Sequence, residues 1–188
     1  MPIKKLEDQS SLIEALFAKR IILIDSEMTD ESCSEWIGRI ALLDISGKKP
    51  IIILVNSYGG DFHGALGLAD VIRACACPTI TVCTGVAQSG GSIVLTAASK
   101  RYAVPNAEIM LHQPWGTYSE LTAQEVQDES RVMLRYRDVL VKYYLSTTKL
   151  TKRKIEAFLS KDTYMNAEDA LKCGLIDDIG WHIHAWLK

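Results

Sequence analysis

Gly85-Val-Ala-Gln-Ser89-Gly90-Gly91-Ser92 lies between two apolar runs, 78–83 before it and 93–98 after it. The pattern predicts a strand over 79–83, a tight turn, and a helix over 89–98 whose first turn carries the serine. A serine in that position is aimed outward, and the backbone N–H groups beside it point at whatever binds there. The helix dipole favours negative charge at the same end. Such a turn suits a nucleophile held against its own oxyanion hole. The same letters also fit a serine cap followed by packing glycines. The rest of the chain has to choose between them.

Working outward, short apolar runs alternate with amphipathic stretches. The β-branched run 21–24 is followed by Thr29-Asp30-Glu31, a helix-start signal, and by apolar residues at helical spacing to about Leu43. Ile51-Ile-Ile-Leu-Val55 is apolar at every position, as expected of a strand covered on both faces. Asn56-Ser-Tyr-Gly59-Gly60-Asp61 then turns the chain, and Ala65, Leu68, Ala69 and Ile72 give a helical face. A further strand near 108–111 leads to His112. Repeated strand–helix–strand units imply an α/β domain with parallel strands and right-handed crossovers.

The stretch 122–147 is different: long, charged, and punctuated by Val126, Met133, Leu134, Val139, Leu140, Tyr143 and Tyr144. A helix of this length in a small domain is expected to extend beyond the core and offer a partner surface. Thr151 opens another helix, 162–165 is short and extended, and Asn166 caps the next helix.

At 188 residues and 48% hydrophobic content, the chain (1–188) is expected to be a single domain with a substantial core. A net charge of −2 gives no basic footprint for nucleic acid. No signal-peptide or membrane-length apolar segment stands in the sequence, and the simplest expectation is a cytoplasmic protein. Its five cysteines are odd in number and mostly inside apolar segments, which reads as reduced, buried thiols. Cys75-Ala-Cys77 lacks the two-residue spacer of a zinc or redox pair, and no metal or organic cofactor is expected.

A serine nucleophile needs a base, an orienting group and an oxyanion hole. His112 is the natural base, since it follows an apolar strand and Gln113-Pro114 halts regular structure after it. Histidine suits the role because it takes and returns a proton near neutral pH. His63, just after the glycine turn, is a second candidate for the same cleft, whereas His182 and His184 read as surface residues. The orienting carboxylate is not fixed by chemistry alone: Asp61, Asp162, Asp169, Asp177 and Asp178 all qualify. Gly59-Gly60 would let a backbone N–H approach a substrate carbonyl, and reads equally as an ordinary turn.

Taken together and in order, these residues resemble the Clp protease proteolytic-subunit family, serine peptidases of the crotonase-like α/β fold. The resemblance runs from about residue 12 to 179. It is carried by Leu54-Val-Asn-Ser-Tyr-Gly-Gly60, Gly85-Val-Ala-Gln-Ser89-Gly, Ile109-Met-Leu-His112-Gln-Pro114 and Lys161-Asp162, with the closing Ala167-Glu-Asp-Ala170-Leu-Lys-Cys-Gly174-Leu-Ile-Asp177. It implies repeated strand–helix units and a protruding handle helix over about 122–147. It implies Ser89 as nucleophile, His112 as base and Asp162 as orienting acid, with the N–H groups of Gly60 and Gly90 as the oxyanion hole. It also implies an ATP-dependent endopeptidase acting on unfolded proteins or peptides inside a homo-oligomer of two stacked heptameric rings (a tetradecamer).

Several positions depart from the family pattern. Tyr58 stands where proline is usual and Gly90 where methionine is common, so Gly90-Gly91 is expected to loosen the nucleophile turn. Lys161 replaces an arginine that commonly pairs across the rings, here with Glu120, which implies a weaker and more salt-sensitive contact. About ten residues precede the first helix, fewer than usual in the segment that meets an ATPase unfoldase, so coupling to such a partner is not expected to follow the usual form. Two rival readings stay open: a crotonase-like acyl-CoA hydratase or thioesterase, and a catalytically weak ring scaffold.

Overall fold

The computed structural model describes residues 9–187. Residues 1–8, on which the expectations about a leader and a short N-terminal segment rest, lie outside the described residues. Helix α1 (Gln9–Phe17) leads into strand β1 (Ile21–Ile24). Then follow α2 (Asp30–Ser46), β2 (Ile51–Ser57), α3 (Phe62–Ala74), β3 (Thr79–Gln88) and α4 (Gly90–Leu95). Strands β4 (Lys100–Ala103) and β5 (Glu108–Leu111) precede the long helix α5 (Ala123–Thr147). The chain ends with α6 (Lys152–Leu159), β6 (Thr163–Asn166), α7 (Ala167–Cys173), β7 (Asp178–Ile179) and α8 (Ile183–Trp186).

The caps stand where the sequence places them. Thr29 and Thr122 each form a capping box, with Ser32 and Glu125 as the returning side chains, and Thr151 and Asn166 cap α6 and α7. Strands β1, β2, β3, β4 and β7 run in that spatial order, all parallel. Strand β5 pairs in parallel with the far end of β3, and β6 pairs antiparallel with β5. Thus β3 bonds β4 through its first half and β5 through its second, and the sheet divides where those partners change.

Strand β2 is buried on both faces, as its unbroken apolar run requires. Ile51, Ile53 and Val55 face the main core with α2, α3 and α4; Ile52 and Leu54 face a smaller cluster with Leu16, Tyr102, Ile183 and Trp186. The buried face of α3 is Ala65, Leu68, Ala69 and Ile72, the four residues its periodicity selects. Only the C-terminal part of α5 enters the core, through Leu140, Val141, Tyr143 and Tyr144, while Val126 and Leu134 stay exposed.

Two expectations need correction, and one strand was not anticipated. Strand β3 does not stop at Cys83 but continues to Gln88 through an irregularity opposite Asn56. The Asn56 side chain accepts from the Val86 N–H, and a Cβ on Gly85 would collide with that same Asn56 oxygen. The apparent glycine turn is therefore a bulged strand. Helix α4 then covers only Gly90–Leu95, because Ser89 lies outside helical space and regular helix ends before Thr96. Finally, Lys100–Ala103 forms a strand that its short, charged sequence does not announce.

Candidate active site

The carboxyl ends of β1, β2, β3 and β5 open on one cleft of about 1160 Å³. This is where an open α/β sheet offers a crevice. Asp25–Glu27 line it after β1, the Tyr58-Gly59-Gly60 turn after β2, Ser89 and Gly90 after β3, and His112 with Trp115 after β5.

Strand register brings three of the candidate residues together. Gln88 pairs with Met110, and the Ser89 N–H donates to the Met110 carbonyl, so β3 and β5 end side by side. Leu111 pairs with Thr163 in the antiparallel ladder, so the next opposed positions are His112 and Asp162. His112 Nε2 lies 2.8 Å from Ser89 Oγ, and His112 Nδ1 lies 3.3 Å from Asp162 Oδ1. The imidazole is largely enclosed, with 13% of its side chain exposed, whereas 60% of the Asp162 side chain is open.

Ser89 adopts φ 51°, ψ −119°, a conformation that non-glycine residues rarely hold. Its side chain makes no capping bond, so the serine is not the ordinary helix cap its sequence also allows. Its carbonyl accepts from the N–H groups of Ser92 and Ile93 and from Ser92 Oγ at 2.7 Å. Ser92 Oγ lies 2.8 Å from the hydroxyl of the fully buried Tyr144 on α5. Burial raises the Tyr144 phenol far above its ordinary range, so it stays protonated.

The expected looseness of Gly90-Gly91 is absent. Both glycines are buried, and each is hemmed in by a neighbouring loop. A Cβ on Gly91 would lie 2.7 Å from the Ser57 carbonyl oxygen, and one on Gly90 would lie 2.9 Å from Met28 Sδ. Gly59, at φ 97°, has no room either: its Cβ would fall 2.7 Å from the Gly90 nitrogen. Glycine serves here for close backbone approach rather than for mobility.

Gly60 sits beside Met28. The Met28 N–H donates to the Gly59 carbonyl and the Met28 carbonyl accepts from the Asp61 N–H. Within the Gly59–Gly60 peptide unit, N–H and C=O point opposite ways. Since the Gly59 carbonyl faces Met28, the Gly60 N–H faces away from it. The candidate donors Gly60 and Gly90 both line the cleft that holds Ser89.

The other candidates are engaged elsewhere. Asp61 caps α3 on the Gly64 N–H, Asp169 pairs with Lys172, and Asp178 pairs with His182. Asp177 is gripped by Arg101, which donates to both carboxylate oxygens. His63 does not join the cleft; it bonds the Tyr136 hydroxyl and packs with Phe62 against α5. Lys161 lines the cleft mouth, and Glu120 is exposed at φ 58°. They form no ion pair among the described residues of one subunit.

Sequence reasoning missed Met28, Trp115 and the Ser92–Tyr144 contact. Met28 had a faint signal: a lone apolar residue directly before a threonine cap, with buried Cys33 at the staple position one turn on. Among the described residues no group of acidic, histidine or cysteine side chains is arranged to hold a metal, and no helix is long and apolar enough to cross a membrane.

Residues 4–182 match the family model described as Clp protease. The chain is 32% identical over 185 residues to ATP-dependent Clp protease proteolytic subunit 3 of Synechococcus sp. (strain CC9902), covering 97% of this chain and 92% of that protein. It is 31% identical, with the same coverage, to proteolytic subunit 2 of Prochlorococcus marinus (strain NATL2A). With a family match over nearly its whole length and relatives above 30% identity, the chain belongs to the Clp protease family.

Proposed function

We propose that this chain is the peptidase subunit of a compartmental protease, and that Ser89, His112 and Asp162 act as a triad. The observation that carries the reading is the 2.8 Å approach of Ser89 Oγ to His112 Nε2, with Asp162 on the far nitrogen of the same ring. The Asp162 carboxylate favours the tautomer with the proton on Nδ1, which leaves Nε2 free to accept the Ser89 hydroxyl proton. Ser89 Oγ attacks the scissile carbonyl, and the oxyanion receives the N–H groups of Gly60 and Gly90. His112 returns its proton to the leaving amine. Water, activated by the same imidazole, then hydrolyses the ester and frees Ser89.

The substrate is an extended polypeptide lying along the cleft, held mainly through backbone bonds and so tolerant of side chains. Tyr58 and Trp115 line this cleft and are 73% and 75% exposed, offering aromatic surface to such a chain. Short peptides enter without ATP, and a folded protein needs an ATPase unfoldase acting with the subunit. The exposed N-terminal part of α5 supports assembly into two stacked rings, with Lys161 and Glu120 meeting between them. The curated relatives are named ATP-dependent, which fits an unfoldase partner.

A fluorophosphonate probe followed by peptide mapping tests the reading. Modification is expected at Ser89, and Ser89→Ala should lose on the order of 10⁴–10⁶-fold in peptide cleavage. Labelling at Ser57 or Ser92, or acyl-CoA turnover without labelling, would favour a different chemistry. The enclosed Gly90-Gly91 turn removes one of the two features that spoke for a catalytically weak scaffold, leaving the altered glycine loop at Tyr58 as its support.

A further inference from the structure

We infer that Met28 is the positioning residue of the oxyanion hole: its backbone sets the Gly60 N–H and its thioether sets the Gly90 N–H. The inference rests on the peptidase reading given above. Met28 is 1% exposed and stands alone between β1 and α2, outside both elements. It makes the isolated bridge to Gly60, through bonds of 2.8 Å to the Gly59 carbonyl and 2.6 Å from the Asp61 N–H. That bridge leaves no space on Gly60, where a Cβ would collide with the Met28 carbonyl oxygen. The orientation of the Gly60 N–H is therefore set by residue 28.

The same residue closes the other side. A Cβ on Gly90 would meet Met28 Sδ at 2.9 Å and Ala65 Cβ at 3.0 Å, so the thioether fills the space a residue-90 side chain would take. An unbranched methionine suits an irregular gap of this kind. Met28 is itself fixed on both flanks. The Ser32 hydroxyl donates to the Glu27 carbonyl, and Ser32 also closes the capping box with Thr29. One ordered residue thus ties two loops from different strands, and each loop carries one of the two donors.

A residue that only fills core would, when shortened, lower stability without selecting a kinetic constant. Met28 should act on kcat, because a displaced oxyanion donor weakens the transition state more than the bound substrate. Met28→Ala is expected to lower kcat for a short peptide by about 10- to 100-fold, as a misplacement near 1 Å does. KM should stay within about twofold. Met28→Leu, which conserves volume, should retain most of kcat. Gly90→Ala should also lose kcat, and Met28→Ala/Gly90→Ala should lose less than the product of the two single losses. Assembly by sedimentation velocity and the thermal midpoint are recorded for each variant.

Unchanged kcat in assembled Met28→Ala, or losses that multiply in the double variant, would overturn the inference. Should Met28→Ala fail to assemble, Gly90→Ala is compared with Gly90→Ala/Met28→Val. Shortening residue 28 should then raise kcat, and no rise overturns it equally. Ser89→Ala runs alongside. If that variant cleaves at the wild-type rate, the peptidase reading fails and takes this one with it. If it is inactive while Met28→Ala is unimpaired, only the Met28 inference falls.

Discussion

Ser89 and Asp162 stand at opposite ends of one line through His112, in very different surroundings. The Ser89 turn continues a strand with neighbours on both edges and is walled by Ser57, Gly59, Met28 and Tyr144. Asp162 occupies a short connection between α6 and β6, mostly exposed, with a single approach to the imidazole at 3.3 Å. An enclosed group is positioned by packing that costs reorganisation to disturb. An exposed carboxylate is positioned by one interaction in high dielectric. The Ser89 end is thus preorganised by the domain's own core, and the Asp162 end depends on the β5–β6 ladder and on whatever surrounds the cleft mouth.

Replacing groups along this line should expose the gradient. His112→Ala is expected to cost on the order of 10⁴–10⁶ in kcat/KM, close to Ser89→Ala, because the members act as a unit. Asp162→Asn should cost one to two orders less, on the order of 10²–10⁴, measured in the same peptide assay. Equal losses for the two variants would break the contrast.

Asp177 gives the comparison a third point, as an aspartate held the way Asp162 is not. Burial alone would raise its pKa, but the Arg101 hydrogen bonds and charge hold the carboxyl below its ordinary value. A depressed native pKa stabilises the fold above the unfolded value near about 3.9. That contribution is lost as pH falls through the native value. Urea unfolding of the wild type should therefore weaken on the acid side of about pH 4, and Asp177→Asn should flatten that limb while lowering stability at pH 7.

The smallest effect is expected at the mouth. Lys161→Ala should leave peptide cleavage within about threefold, while shifting assembly toward smaller species in high salt, read by sedimentation. If the particle is identical at low and high salt and in the variant, the proposed role of Lys161 in a contact between rings fails.

The regular frame was legible because it is written in local letters. Apolar runs marked β1, β2 and β5, and Thr29, Thr122, Thr151 and Asn166 marked helix starts that the structure keeps. Gly85 misled, because a glycine within a strand that approaches an asparagine side chain looks the same in sequence as a glycine in a turn. His63 misled as well, since sequence neighbours of a loop need not face the cleft that the loop lines; here the ring turns to Tyr136. Choosing Asp162 among five aspartates required family likeness, because antiparallel pairing of β6 with β5 is a long-range fact. Met28 was the least legible. Its contacts arise only when the β1–α2 and β2–α3 connections and the first turn of α4 converge.

Strand β3 is the only strand among the described residues bonded to three others, β2, β4 and β5. Local opening reaches such a segment only by releasing several ladders at once, so its amides are expected to exchange with solvent only near the global unfolding free energy. Ser89 is attached directly to the end of this multiply bonded strand. A destabilising change far from the cleft would therefore loosen the rim and the long helix first. The Ser89 turn would keep its shape until the whole domain unfolds.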